Sequence, residues 1–241
     1  MNIALILQMA ADAGPDRVGL VCDGRRWTYG QLFEAAKGAT EVFVNAGCSH
    51  VALLDESSEA APIALFGAAL AGIPYVPLNY RLADDALGAL LDRIKPAYII
   101  GDVERANRLS TGHTCSSRED FVKAAEAAAA ATATGEEREG EGIAAQIFTS
   151  GTTAAPKAAL LRHSNLLGYI LGSVEFMSAE ESDAQLVCVP PYHIAGISAL
   201  MSSIYSMRCI VLLPAFEPDA WLKLCEEEKI TNAFLVPTML Q

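Results

Sequence analysis

Gln146-Ile-Phe-Thr-Ser-Gly-Thr-Thr-Ala-Ala-Pro-Lys-Ala-Ala-Leu-Leu-Arg-His-Ser-Asn165 is the stretch on which the reading of this chain turns. An apolar run from Ile143 to Phe148 has strand character. It breaks abruptly into Thr149, Ser150, Gly151, Thr152 and Thr153, then Pro156 and Lys157, before apolar residues resume. Taken alone, such a cluster is either a solvated turn or an anion-binding loop. Its place directly after a strand-like run and its Pro-Lys ending favour the second. The hydroxyls, one glycine and successive backbone N–H groups can wrap the oxygens of a phosphate, while Lys157 supplies the compensating charge. A nucleotide triphosphate is the ligand that pattern suits. Two other phosphate schemes are excluded: the P-loop needs a second glycine before the lysine, and the dinucleotide fingerprint needs three spaced glycines.

Phe148-Thr-Ser-Gly-Thr-Thr-Ala-Ala-Pro-Lys157 resembles the phosphate-loop signature of the adenylate-forming superfamily, which includes acyl- and aryl-CoA synthetases, peptide adenylation domains and luciferases. The usual form is Thr-Ser-Gly-Thr-Thr-Gly-x-Pro-Lys-Gly, and this chain departs from it at Ala154 and Ala158. Where a glycine takes positive φ, alanine is strained by about 1 kcal/mol.

Composition agrees with a compact globular protein of one large domain or two small ones. The chain has 241 residues, 52% of them hydrophobic and 19% charged, enough for a substantial core. A formal net charge of −12 disfavours binding to nucleic acid or to an anionic membrane. Six scattered cysteines without a Cys-x-x-Cys pair suit reduced thiols and a cytoplasmic setting. Met1 to Ala11 lacks a basic leader, so the expectation is an amphipathic helix and no membrane span.

Further along, Val18 to Cys22 and Arg25 to Tyr29 flank Asp23-Gly24, a hairpin signal, and Thr28 can cap the helix that follows. From Val51 to Ile100, strand-like and helix-prone segments alternate with short connections. The fold class expected is therefore α/β, with doubly wound, largely parallel sheets and flanking helices. Residues 1–134 read as a first α/β subdomain, 135–142 as an acidic Gly-rich linker, and 143–241 as the start of a second subdomain. Glu119 to Ala133 reads as a surface helix, and Ser164 as the N-cap of the next helix. Asn79, in a Gly72-Ile-Pro-Tyr-Val-Pro-Leu-Asn79 run that resembles the family's segment here, is either a strand-end cap or a site residue, with the cap favoured.

Leu186 to Val189 reads as a strand leading into Pro190-Pro-Tyr-His-Ile-Ala-Gly196. A histidine at an apolar strand end is by default a hydrogen-bonded core residue. Pro-Pro-Tyr-His-x-x-Gly, however, resembles a second signature of the same family, at matching spacing from the first. That likeness implies that His193 and Gly196 bind the acyl or aryl substrate, His193 as a positioning and gating group.

The resemblance implies an incomplete N-terminal domain of an adenylate-forming enzyme, because the family's Tyr-Gly-x-Thr-Glu motif, ribose-binding aspartate and C-terminal lysine have no counterpart before Gln241. It implies an acyl-CoA synthetase that uses MgATP to activate a carboxylic acid and then transfers the acyl group to coenzyme A. Thr149, Ser150, Gly151, Thr152, Thr153 and Lys157 would hold the phosphates, with Lys157 and His193 as the catalytic pair. ATP, Mg2+ and coenzyme A sites would be completed by residues outside the chain. Two alternatives stay open: an adenylation domain that loads a carrier protein, and a truncated, non-catalytic nucleotide-binding module. Neither the identity of the acid nor the oligomeric state is legible.

Overall fold

A computed structural model describes residues 1–131, 142–149, 156–235 and 239. The chain opens with helix α1 (Ala4–Ala13) and a hairpin of β1 (Val18–Cys22) and β2 (Arg25–Thr28). Asp23 and Gly24 take φ of 48° and 78°, the two left-handed residues of a tight hairpin turn. Helix α2 (Tyr29–Ala46) then starts in a capping box: Gln31 N donates to Thr28 Oγ1 at 3.2 Å, and Thr28 N donates to Gln31 Oε1 at 2.9 Å. It stops at Gly47 with φ 61°.

Alternation follows, through β3 (His50–Leu54), α3 (Ala60–Ala71), β4 (Tyr75–Pro77), α4 (Asp84–Arg93), β5 (Ala97–Gly101), α5 (Val103–Leu109), β6 (Thr114–Ser116) and α6 (Arg118–Ala131). The strands β7 (Ile143–Thr149) and β8 (Lys157–Arg162) come next, and α7 (His163–Ser173) continues directly from β8. The remainder is β9 (Ala184–Val187), α8 (Ile194–Tyr205), β10 (Cys209–Leu212), α9 (Pro218–Glu227) and β11 (Asn232–Ala233).

Two sheets result. One has six strands in the order β6-β5-β3-β4-β7-β8, parallel except for the β7–β8 pair; the other has five in the order β11-β9-β10-β1-β2, parallel except for the hairpin. The α/β, largely parallel architecture expected from the alternating pattern is the one observed. Strand pairing crosses residues 135–142 in both directions. Strands β7 and β8 join the sheet of β3–β6, and β1 and β2 join that of β9–β11.

Helix α3 explains the apolar sequence Ala-Ala-Pro-Ile-Ala-Leu-Phe-Gly-Ala-Ala-Leu-Ala: it is buried nearly all round, so no face needs polar residues. Helix α2 runs between α3 and α6 on small residues. A Cβ on Gly67 would lie 2.7 Å from Ala39 Cβ, and one on Gly38 would lie 1.8 Å from Ala125 O. Thr40 Oγ1 donates across the same crossing to Gly67 O at 3.1 Å. On the other face of the six-stranded sheet, Leu87, Leu90, Leu91 and Ile94 bury one side of α4 against Ala52, Leu54, Val76 and Ile99.

Several local expectations need correction. Helix α6 is not simply a surface helix: Phe121, Val122 and Ala125 are buried, and Phe121 stacks on Phe43 with ring centroids 5.6 Å apart. Ser164 does not cap α7, because β8 runs straight into the helix. Arg162 is the N-cap, and its N–H donates to Asn165 Oδ1 at 3.0 Å. His193 is not on a strand end but caps α8, six residues past the end of β9, after a turn in which His193 N donates to Pro190 O at 3.2 Å. The acidic linker lies outside the described residues apart from Gly142.

Gly38→Ala should separate α2 from α6, because the obstacle is backbone. We expect a loss of about 2–3 kcal/mol, read as a lower thermal midpoint, whereas Gly24→Ala, with open space around its Cβ, should cost only the strain of its left-handed backbone.

Candidate active-site cleft

The pairing of β7 with β4 sets the site. Tyr75 stands opposite Ala145 in parallel register, and the chain leaves β7 at Thr149 beyond the carboxyl ends of both strands. Ligands of open parallel sheets collect outside strand carboxyl ends. Here a cleft of about 570 Å³ opens between the turn after β4, the β7–β8 pair and the start of α8. Its walls are apolar, from Leu82, Leu90, Ile147, Leu161 and Ile194. Its polar groups come from Asn79, Thr149, Tyr192 and His193.

Strands β7 and β8 form an antiparallel pair that closes on Thr149 opposite Lys157. Thr149 Oγ1 donates to Lys157 O at 3.3 Å, so the last residue of one strand grips the first of the other. Lys157 is exposed, and Thr149 and Pro156 line the cleft mouth. Ser150, Gly151, Thr152, Thr153 and Ala154 lie outside the described residues; Ala158 pairs with Phe148 within β8. Arg93, at the end of α4, places its guanidinium 4.9 Å from the centroid of the Phe148 ring and donates from Nη1 to Pro156 O at 2.6 Å.

On the opposite wall, His193 is exposed at the N-terminus of α8, with its ring 4.6 Å from that of Tyr192. Tyr192 in turn meets Tyr80 edge-on at 5.5 Å. Tyr80 Oη is buried and finds no partner among the described residues, and burial is the first cause of its raised phenol pKa. Asn79 closes the turn after β4, the capping role favoured for it: its Oδ1 accepts from Arg81 N at 3.0 Å, and the residue lines the cleft.

Gly196 falls elsewhere. It lies on another side of α8, beside a cavity of about 20 Å³, and a Cβ there would come 3.3 Å from Pro190 O. The glycine lets α8 start close against the Pro190-Pro191 turn. A second cleft of about 540 Å³ shares Leu161 and Ile194 with the first and continues between α7 and α8 past Tyr169, Ser198 and Ser202 to Phe234. Sequence reasoning missed Leu82, Leu90 and Arg93 altogether. Leu90 carried a helix-face signal, but nothing local tied Arg93 to a segment 63 residues away.

A family model described as AMP-binding enzyme matches residues 7–241. Feruloyl-CoA synthase from an Amycolatopsis species is 29% identical over 224 residues, which cover 90% of this chain and 45% of that protein. A 2-succinylbenzoate–CoA ligase from Bacillus mycoides is 27% identical, over 97% of this chain and 48% of the ligase. Among solved structures, ATP-bound MatB from Rhodopseudomonas palustris superposes with a TM-score of 0.81 at 25% identity, over 99% of this chain and 50% of MatB. The chain spans about half the length of the relatives it matches.

Removing the Asn79 acceptor should loosen the turn that forms one lip of the cleft. Asn79→Ala is expected to cost about 1 kcal/mol, while Asn79→Asp, which keeps an oxygen facing Arg81 N, should melt close to the parent; equal losses in a thermal melt would show that the acceptor is unimportant.

Proposed function

Because this chain belongs to the AMP-binding enzyme family, we propose that it is the N-terminal part of an ATP-dependent acid–thiol ligase of the acyl-CoA synthetase type. The single observation that carries the reading is the cleft itself. It joins Thr149 and Pro156, the two shoulders of the phosphate-loop signature, to Tyr192 and His193 of the second signature across an apolar-walled space of about 570 Å³. Without that juxtaposition the two motifs would be separate resemblances.

The chemistry proposed has two steps. A carboxylate oxygen attacks the α-phosphorus of MgATP; the bond to the β-phosphate oxygen breaks, and pyrophosphate leaves as the acyl-adenylate forms. The sulfur of coenzyme A then attacks the acyl carbon, and AMP departs with the oxygen that had bridged it to the acyl group. Phosphoryl transfer asks a protein mainly for positioning and charge neutralisation. In this reading the Lys157 ammonium meets the charge of the departing pyrophosphate, aided by Thr149, Ser150, Gly151, Thr152 and Thr153. His193 orients the carboxylate end of the acid at the mouth of the cleft, and the leucine and isoleucine walls take its apolar body.

Among the described residues, no three His, Cys, Asp or Glu side chains are grouped as a metal shell, and the proposal takes Mg2+ in with the nucleotide. No described helix is long and apolar enough to cross a membrane. A cytoplasmic setting, with a carboxylic acid, ATP and coenzyme A as substrates, belongs to the same proposal.

The test is ATP–pyrophosphate exchange by the enzyme that carries this chain together with the half its relatives add. Lys157→Ala should cut kcat/KM for ATP by on the order of 100-fold. His193→Ala should instead raise KM for the acid by about tenfold and leave that for ATP unchanged, the mark of lost ground-state binding. Exchange that is indifferent to both substitutions would contradict the assignment.

A further inference from the structure

The β7–β8 pair ends at a mouth where two covalently distant shoulders, Phe148-Thr149 and Pro156-Lys157, must be held in register. Pro156 lies just before the first paired residue of β8, so the Pro156–Lys157 peptide sits at the open end of the ladder. Two hydrogen bonds hold it. Arg93 Nη1 donates to its own carbonyl, Pro156 O, at 2.6 Å, and Thr149 Oγ1 donates to the next carbonyl along the chain, Lys157 O, at 3.3 Å. The same guanidinium lies over the Phe148 ring at 4.9 Å, so one planar group touches both shoulders.

Its anchor is firm. Arg93 closes α4, whose Leu87, Leu90 and Leu91 are buried under the sheet, and Phe148 packs against that same cluster. The neighbouring acid is already engaged: Asp92 pairs with Lys95 at 2.7 Å and accepts from Ser110 at 2.8 Å. Among the described residues no carboxylate forms an ion pair with Arg93. A guanidinium whose contacts among the described residues are one carbonyl and one ring is placed there for geometry and not for pairing charge.

We propose that Arg93 is a positioning residue for Lys157: by pinning Pro156 O and stacking on Phe148, it orients the peptide from which the lysine springs and so sets where its ammonium meets a nucleotide phosphate. The inference rests on the ligase reading for the identity of that ligand. It reaches beyond it in assigning a function to a helix end that neither signature contains.

The experiment compares Arg93→Ala, Arg93→Lys and Lys157→Ala in the full enzyme, with two readouts. Steady-state kinetics should show KM for ATP raised about tenfold in Arg93→Ala, as expected for one lost charge-assisted hydrogen bond, with KM for the acid unchanged. Arg93→Lys should recover only part of this, since an ammonium neither stacks as a plane nor holds both shoulders. Hydrogen exchange on ligand-free protein should show faster exchange at Thr149 and Lys157 in Arg93→Ala, with the rest of the six-stranded sheet unchanged. Full rescue by lysine would overturn the proposal in favour of simple charge attraction. Unchanged exchange at the mouth, or equal shifts in both KM values, would overturn it as well. If Lys157→Ala leaves ATP kinetics untouched, the ligase reading fails instead, and the exchange data still decide whether Arg93 holds the mouth.

Discussion

The parallel pairing of β7 with β4, at Tyr75 and Ala145, is the constraint on which the rest of the site depends. It attaches the strand that leads into the Thr-Ser-Gly-Thr-Thr segment to the middle of a sheet that is already closed on its other side by β3 and β5. Both residues are fully buried, and the alanine leaves room for the large tyrosine beside it. Because side chains in a strand alternate strictly, a slip of one residue would exchange Ile147, which packs in one core cluster, with Phe148, which packs against the other. Register here is therefore a functional specification as well as a structural one.

The core that fixes this register is built from small residues as much as from large ones. Ala36, Ala39 and Gly38 let α2 approach α3 and α6 closely, and α3 fills the space behind the strands with almost no polar surface. One continuous buried cluster includes strand residues Val51 and Tyr75 from the first sheet and Leu20, Val187 and Leu212 from the second, together with α3 and α8. The two walls of the cleft, one from β7–β8 and one from the start of α8, are thus carried on elements that share a core. A cleft so mounted is preformed, which suits a reaction in which positioning dominates.

How much of this was legible in the sequence follows from the range of the forces involved. The Asp23-Gly24 turn, the Thr28 cap and the alternating units are set by residues within a few positions of one another, and all of them were readable. The phosphate-loop and Pro-Pro-Tyr-His signatures were readable too, because each is a contiguous string. Their meeting across one cleft was not, since it depends on β7 crossing to β4 and on α8 starting where it does. Ser164 misled because its hydroxyl looks like a cap, whereas the transition from β8 into α7 is set by the sheet. Arg93 was invisible because it acts on a carbonyl far along the chain, and α4 gives no sign of that partner. Gly196 lay within a motif but works by packing against Pro190.

The central claim is that the cleft joins a carboxylate to the α-phosphate of ATP, and the fate of the oxygen tests it most directly. The acid would be supplied with both carboxylate oxygens as oxygen-18 to the enzyme that contains this chain, and the nucleotide product examined by mass spectrometry after thioester formation. The account predicts AMP carrying a single oxygen-18 in its phosphate, because that oxygen bridges carbon and phosphorus in the adenylate and stays with phosphorus when the thiol attacks carbon. Label in inorganic phosphate alongside ADP, or AMP without label, would contradict it.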